Sequence, residues 1–410
     1  MTWLAARPRL RGASAQRELC AALVLALGGA CSRPLALDWK QDLQAASAST
    51  PLVTEGFIAV GHEHGVSLLE PDGEPRCTFD AHGEVIGRPA SNGTLVYFGS
   101  TNYHLYAIDL ACQQVWQLAA RDRIKCDTLY DAGLVFTASY DGHVYALEES
   151  SGAVRWMFPP PPPKLADVLA ALAAEVDQEE VAPKTSKGKG QSDPPTSPGT
   201  TASASVPEVG DFSYSSPVIA GGVIYIGNLD GFVYALDARS GALRWRFATA
   251  GAVTSTPLVA KGSLYVGSHD GYLYALELPS AADAQPAVRW KHPTGDWINS
   301  SARLADGVIY VGSNDRHVYA LDAASGQQRW QFATKGPAIA IPTLYEDLVF
   351  AAGGSGDGTI YALERVSGAL FWQDKTGGKI ESDPVIVGRR LYVTSADQFL
   401  YAYEIRATKR

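Results

Sequence analysis

The sequence predicts an all-β protein: an eight-bladed β-propeller closed by an N-terminal strand, with one Pro-rich insertion that carries a short helix. Three observations predict it. A core of Tyr-Ala-Leu-Asp recurs, preceded by a tight turn and followed by Ser-Gly and Trp. It reads Gly227-Asn-Leu-Asp-Gly-Phe-Val-Tyr-Ala-Leu-Asp237, Ser240-Gly241 and Trp245, and returns as Gly312-Ser-Asn-Asp-Arg-His-Val-Tyr-Ala-Leu-Asp322, Ser325-Gly326 and Trp330. Each copy then holds four short strand signals. Finally, the two chain ends carry complementary parts of one copy.

The core Tyr recurs at Tyr106, Tyr145, Tyr234, Tyr274, Tyr319, Tyr361 and Tyr401, at spacings of 39, 89, 40, 45, 42 and 40. The long interval is one copy plus an insertion. A degenerate first copy, with Ser49-Thr-Pro-Leu-Val53 and Gly65-Val-Ser-Leu-Leu-Glu70, raises the number of copies to eight. In the fifth copy Ser255-Thr-Pro-Leu-Val-Ala260, Ser263-Leu-Tyr-Val-Gly267, Tyr272-Leu-Tyr-Ala-Leu-Glu277 and Val288-Arg-Trp-Lys-His292 are the strand signals, with Asp270-Gly271 as the turn. β-Branched and aromatic residues favour strands, and Asp-Gly or Ser-Gly favours turns. Four strands in a period of roughly 40 residues is the signature of a propeller blade. Helical solenoids need apolar residues at helical spacing and few glycines, whereas this chain has 40 glycines and alternates with a period of two.

In chain order, residues 1–30 read as an export signal. Arg7, Arg9, Arg11 and Arg17 precede an apolar run from Cys20 to Ala30 that is too short to span a bilayer. Cys31 follows Leu27-Gly-Gly-Ala30 and is the lipidation candidate, although Gly28 stands where such sites prefer Leu. Ordinary cleavage near Ala30 or Ala36 is the alternative. Leu35-Ala-Leu-Asp-Trp39-Lys-Gln-Asp-Leu43 reads as a fourth strand without a blade, and the last copy, Glu381 to Glu404, stops after its third strand. Pairing the two closes the ring and removes both free edges. Residues 36–156 then hold this strand and blades 1–3, and residues 211–406 hold blades 4–8.

Residues 157–210 form the insertion. Pro159 to Pro163 is an extended exit from the blade. A helix is expected over about 165–180, with Leu165, Val168, Leu169, Leu172 and Val176 on one face. That stripe packs on the propeller or docks a partner. Residues 183–207, rich in Lys, Ser, Thr, Gly and Pro, are expected to be disordered. The insertion lies between blades and must emerge on the face that carries the inter-blade loops.

The blade Trp residues are Trp39, Trp116, Trp156, Trp245, Trp290, Trp330 and Trp372, with Cys77 in that place in the first copy. Each is expected to pack between blades. Cys77, Cys112 and Cys126 fall at separated positions of the expected fold, so free or buried thiols are expected there rather than disulfides.

Formal net charge is −9 with no basic block, which excludes a nucleic-acid surface. His62, His64, His104, His143, His269 and His317 fall near one turn of different blades. Those turns are too far apart for a shared metal, given a sheet spacing of about 10 Å and imidazole–metal bonds of about 2 Å. His62-Glu-His64 is the one local cluster. His104, His143 and His317 share a column with Phe232, Tyr272 and Phe399, where a flat ring packs. Asp141, Asp230, Asp270 and Asp357 precede glycines and read as turn residues. No phosphate loop, Gly-x-Ser-x-Gly elbow or His-Glu-x-x-His is present.

The pattern Tyr-Ala-Leu-Asp, Ser-Gly, Trp resembles the pyrroloquinoline-quinone-type repeat, over about residues 36–156 and 211–406. That family includes quinoprotein dehydrogenases, kinase-fused sensors and the lipoprotein scaffolds of outer-membrane protein assembly. Length, signal and copy number look most like the last. The resemblance implies a non-catalytic, monomeric scaffold that binds envelope proteins, exported to the periplasm and anchored at the outer membrane through Cys31. It implies no catalytic, cofactor-binding or metal residues. The alternative it implies is a propeller that binds pyrroloquinoline quinone or another small ligand in its central channel. The dehydrogenases carry an adjacent cysteine pair and a calcium-binding carboxylate set, and this chain has no adjacent cysteines. The Pro-rich insertion departs from the family pattern.

Overall fold

A computed structural model describes residues 34–160 and 210–406, apart from 213, 282, 283 and 355. The signal, Cys31 and the expected insertion helix with Leu165, Val168, Leu169, Leu172 and Val176 lie outside the described residues. Among the described residues the regular structure is all β, in eight four-stranded antiparallel sheets. Blade 5 is typical, with Leu258–Ala260, Ser263–Gly267, Tyr272–Glu277 and Ala287–Pro293 running from the inside outward. Its third strand is buried except at its ends, because blades cover both of its faces. Its outer strand buries only Trp290.

The eighth sheet closes the ring. Leu35–Asp42 pairs antiparallel with Phe399–Ile405, setting Trp39 opposite Ala402. The same register recurs around the molecule: Trp116 faces Ala107, Trp156 faces Ala146, Trp245 faces Ala235, Trp290 faces Ala275, Trp330 faces Ala320 and Trp372 faces Ala362. A bulge interrupts each of these pairings beside the alanine and turns the indole toward the next blade.

The indole covers the Ser-Gly turn of that next blade. A Cβ on Gly152 would meet the Trp116 ring at 2.6 Å, and Gly241, Gly326 and Gly368 stand likewise under Trp156, Trp290 and Trp330. Gly73 lies under Trp39, so the contact also spans the closing seam. Several indoles add a bond: Trp116 Nε1 donates to Glu149 O at 2.8 Å and Trp330 Nε1 to Arg365 O at 2.9 Å.

The seam between blades 1 and 2 corrects the cysteine expectation. Cys77, in the Trp position opposite Leu68, forms a disulfide with Cys112, Cα–Cα 6.0 Å. Cys112 takes the place of the turn glycine. Its φ is 59°, and its N–H donates to Asp109 O at 3.0 Å, as Gly152 N–H does to Glu148 O at 2.9 Å. The two cysteines lie in different copies, and the fold stacks the outer strand of one on the turn of the next. Cys126 is a buried free thiol, its pKa pushed up to about 11, first by burial.

The turn aspartates do more than shape turns. Asp141 Oδ2 accepts from Tyr145 Oη at 2.7 Å and from Arg121 N–H, at the exit of the preceding blade, at 2.9 Å. Asp270 and Asp315 repeat the arrangement with Tyr274 and Tyr319. Burial and the neighbouring carboxylate raise these tyrosine pKa values, keeping the donor protonated.

Candidate binding face and axial channel

Each outer strand leads through a loop to the inner strand of the next blade, so these loops gather on one face. The turns between second and third strands reach the same face. The last strand of blade 3 ends at Phe158 on this face, and the first strand of the next blade begins from it at Val218.

All three exposed aromatic side chains among the described residues, Tyr103, Tyr214 and Trp297, lie on this face, at 48%, 53% and 49% exposure. Trp297 stacks on His269, with ring centroids 4.4 Å apart and planes 2° apart. His269 Nε2 lies 2.7 Å from Asn299 Oδ1 and 3.0 Å from Thr254 Oγ1, and Thr254 Oγ1 donates to Asn299 Oδ1 at 2.8 Å. With the proton on Nε2 the imidazole is held from two sides and fixes the indole. Between blades 3 and 4, Tyr140 and Tyr214 meet edge to face at 6.1 Å, with the Arg123 guanidinium 4.8 Å and the Lys125 ammonium 5.4 Å from the Tyr140 ring centre. Aromatic and arginine side chains held in this way are the typical anchors of protein interfaces.

Below the loops, the inner strands ring the axis. Side chains at the position that precedes proline in most copies link blade to blade. Thr50 Oγ1 accepts from Asp383 N–H, Asp383 Oδ1 from Ile341 N–H, Ser301 Oγ from Thr256 N–H, Thr256 Oγ1 from Ser216 N–H, Ser216 Oγ from Asp127 N–H and Asp127 Oδ1 from Arg88 N–H, all between 2.7 and 2.9 Å. Burial raises the carboxyl pKa of both acids, Asp383 to about 6. Both keep partial contact with channel solvent. No sequence motif singled out these residues. The signal was a departure from the Ser/Thr-Pro pattern at known register.

The histidines stay apart. His104, His143 and His317 each lie beside the tyrosine of their own blade, in the column shared with Phe232, Tyr272 and Phe399. His62 is buried, and its pKa is pushed down to about 4 by burial first and then by His64. Its Nδ1 accepts from His64 N–H at 3.2 Å and its Nε2 lies 3.1 Å from Ser67 Oγ. Both ring nitrogens are therefore engaged inside a cleft of about 380 Å³ at the closing seam, with Gln41, Asp42, Thr78 and Asp80 in its walls. Among the described residues no group of three or more His, Cys, Asp or Glu comes together to hold a metal.

A family model described as "Outer membrane protein assembly factor BamB" matches residues 62–192, 192–283, 280–356 and 340–410. No curated protein matches the sequence. Among solved structures, BamB from Moraxella catarrhalis is similar at TM-score 0.67 and 16% identity, over 90% of this chain and 99% of that one. The computationally designed protein Ika8 is similar at TM-score 0.67 and 12% identity, over 89% and 99%. Quinohemoprotein alcohol dehydrogenase from Comamonas testosteroni is similar at TM-score 0.65 and 13% identity, over 92% of this chain and 77% of that one. A designed protein, an assembly factor and an enzyme share the likeness, so at these identities it speaks for the fold alone.

Proposed function

This chain belongs to the pyrroloquinoline-quinone-type repeat family described as outer membrane protein assembly factor BamB, and from that premise we propose that it is a non-catalytic scaffold of the cell envelope. It binds protein partners through the face on which the insertion emerges. One observation carries the reading: the exposed aromatics are confined to that face, and Trp297 and Tyr214 are braced there by His269, Tyr140 and Lys125. The opposite face exposes Val366 and Val387 but no aromatic among the described residues.

The proposal includes export, with residues 1–30 as the signal, Cys31 as the acylated residue, and a monomer facing the periplasm from the outer membrane. The Cys77–Cys112 disulfide supports export, because disulfides persist in oxidising compartments. The domain organisation read from the repeat, with residues 157–210 as an insertion between blades 3 and 4, is part of the same proposal.

The alternative is a quinone-binding propeller. Calcium, which the dehydrogenases of this family use with the quinone, takes roughly six to eight oxygen ligands, many of them carboxylate. The described residues offer no group of three such side chains. The described residues therefore do not assemble the carboxylate-rich donor set that calcium would need.

The test compares capture of envelope proteins by wild type, Trp297→Ala, Tyr214→Ala and Val366→Ala. The first two variants are expected to lose partners that wild type and Val366→Ala retain. Equal capture by all four overturns the reading, as does saturable binding of pyrroloquinoline quinone and calcium with dye-linked alcohol oxidation.

A further inference from the structure

The cleft at the closing seam exists because one copy departs from the repeat. At five other seams an aromatic ring two residues after the Trp position packs on the core Tyr of the next blade. The pairs are Phe79–Tyr106, Phe158–Tyr234, Phe247–Tyr274, His292–Tyr319 and Phe332–Tyr361, with ring centroids between 5.2 and 5.9 Å apart. At the seam between blades 8 and 1 the register puts Gln41 and Ser67 in those two places. Gly65 stands in the column of flat rings, so that column adds no ring here either. Where the other seams hold an aromatic pair, this one holds the cleft of about 380 Å³.

Its floor is polar and its hydrogen bonds run in one direction. His62 stands where Ser100, Ser139, Ser268, Ser313 and Ser395 stand in other turns. Its buried ring accepts from His64 N–H on Nδ1, so the ring proton sits on Nε2 and is donated to Ser67 Oγ, 3.1 Å away. The Ser67 hydrogen then goes to Thr78 Oγ1 at 3.0 Å, and the Thr78 hydroxyl is left to donate into the cleft. The walls carry two carboxylates, Asp42 and Asp80, and no lysine or arginine. Each uses Oδ1 on a nearby N–H, of Gln44 at 2.8 Å and of His82 at 2.7 Å. Among the described residues neither Oδ2 accepts a hydrogen bond. The one basic side chain paired with either acid, His82 at 3.1 Å from Asp80 Oδ1, is 86% exposed.

We propose that this cleft binds a small hydroxylated primary amine of amino-sugar size, with its ammonium on the carboxylates of Asp42 and Asp80 and a hydroxyl on Thr78. Two carboxylates without a fixed cation favour a positive ligand and repel an anion. The Thr78 hydroxyl asks for an acceptor, which an ammonium does not offer and a ligand hydroxyl does. Leu43, Leu69 and Pro75 supply the apolar part of the lining. The volume lies at the lower end of the range for small-molecule sites, roughly 300–1,000 Å³, and suits a single six-membered ring. The site is independent of the partner-binding reading: Tyr214 and Trp297 lie on the loops into blades 4 and 6 and take no part in it.

Isothermal titration calorimetry with glucosamine in its ammonium form, glucose, cyclohexylamine and glucose 6-phosphate tests it. Glucosamine is expected to bind saturably. Glucose, which lacks the charge, and cyclohexylamine, which lacks the hydroxyls, should each bind at least tenfold more weakly, and glucose 6-phosphate not at all. Asp80→Asn keeps an acceptor for His82 N–H and should weaken glucosamine binding at least tenfold. The double change Gln41→Phe with Ser67→Tyr installs the ring pair of the other seams. It should fill the cleft and abolish binding with an unchanged circular dichroism spectrum. Absence of saturable glucosamine binding to folded wild type overturns the proposal. So does wild-type affinity in the folded double variant, or glucose or cyclohexylamine binding as tightly as glucosamine. Unchanged affinity in Asp80→Asn overturns it too, and that variant decides alone if the double variant does not fold.

Discussion

Cys77 and Cys112 form a covalent version of a contact that five other seams make without a bond. Elsewhere an indole on the outer strand covers a turn glycine of the next blade, as Trp330 covers Gly368. At the seam between blades 1 and 2 both partners are replaced together, and a disulfide spans the same gap.

Losing that bond is expected to weaken the ring. Chain-entropy arguments for a loop of 35 residues give about 3–4 kcal/mol. Cys112→Ser should therefore melt well below wild type, and a reductant should lower the wild-type midpoint but not that of the variant. The double change Cys77→Trp with Cys112→Gly installs the contact used at the other seams. It should recover part of the loss and be insensitive to reductant.

The indole–glycine contact predicts a contrast between two glycines. Gly368 has φ +71° and would place a Cβ 2.6 Å from the Trp330 ring, whereas Gly222 has φ +74° with nothing within 4 Å. Both alanine variants pay the left-handed backbone term, about 1–2 kcal/mol. Gly368→Ala adds overpacking, about 1–3 kcal/mol more. Urea midpoints that fall equally in the two variants would refute the packing role of the indole.

Asp383 predicts a pH dependence. Burial first, then Asp127, raises its carboxyl pKa to about 6, against the pull of Ile341 N–H, Arg303 and Thr50. The ordinary aspartate value is about 3.9. The folded state therefore holds the proton more tightly than the unfolded chain. Its stabilising contribution is complete below about pH 4 and is lost as pH rises through about 6. Asp383→Asn keeps an acceptor for Ile341 N–H without the charge. Above pH 7 it should be more stable than wild type by on the order of 1–2 kcal/mol, allowing for partial contact with channel solvent. A gain that does not shrink between pH 7 and pH 4 would contradict this assignment.

The closing strand predicts that the N-terminal segment is structural. Leu35 is buried, Trp39 covers Gly73, and the strand pairs from Leu35–Ile405 to Asp42–Phe399. Removing residues 34–42 exposes the edge of Phe399–Ile405 and should cost about 5 kcal/mol or more, from the lost Trp and Leu burial together. An unchanged thermal midpoint in the truncated chain would show that the ring does not need this strand.

Acylation at Cys31 predicts membrane attachment. Among the described residues no helix is long and apolar enough to cross a bilayer, and stable anchoring needs more than one acyl chain. Labelling with a clickable palmitate analogue should mark wild type and not Cys31→Ala, and the variant should leave the membrane fraction. Equal labelling of both, or none of wild type, would show that Cys31 is not the acylated residue.

The repeat makes much of the fold legible in the sequence itself. Tyr-Ala-Leu-Asp and Trp recur at a fixed register, so strand order, the inter-blade Trp positions and closure by the Leu35–Leu43 segment follow from aligning the copies. These are local patterns, repeated, and each blade needs only its neighbours to bury its faces. The channel and the disulfide were not legible in this way. Cys77 and Cys112 each look unremarkable within one copy, and only stacking of blades sets the Trp position over the turn of the next. Thr50 and Asp383 are far apart in the chain and lie in different blades. The circular arrangement alone makes them partners, because ring closure converts equivalent positions in the first and last copies into neighbours.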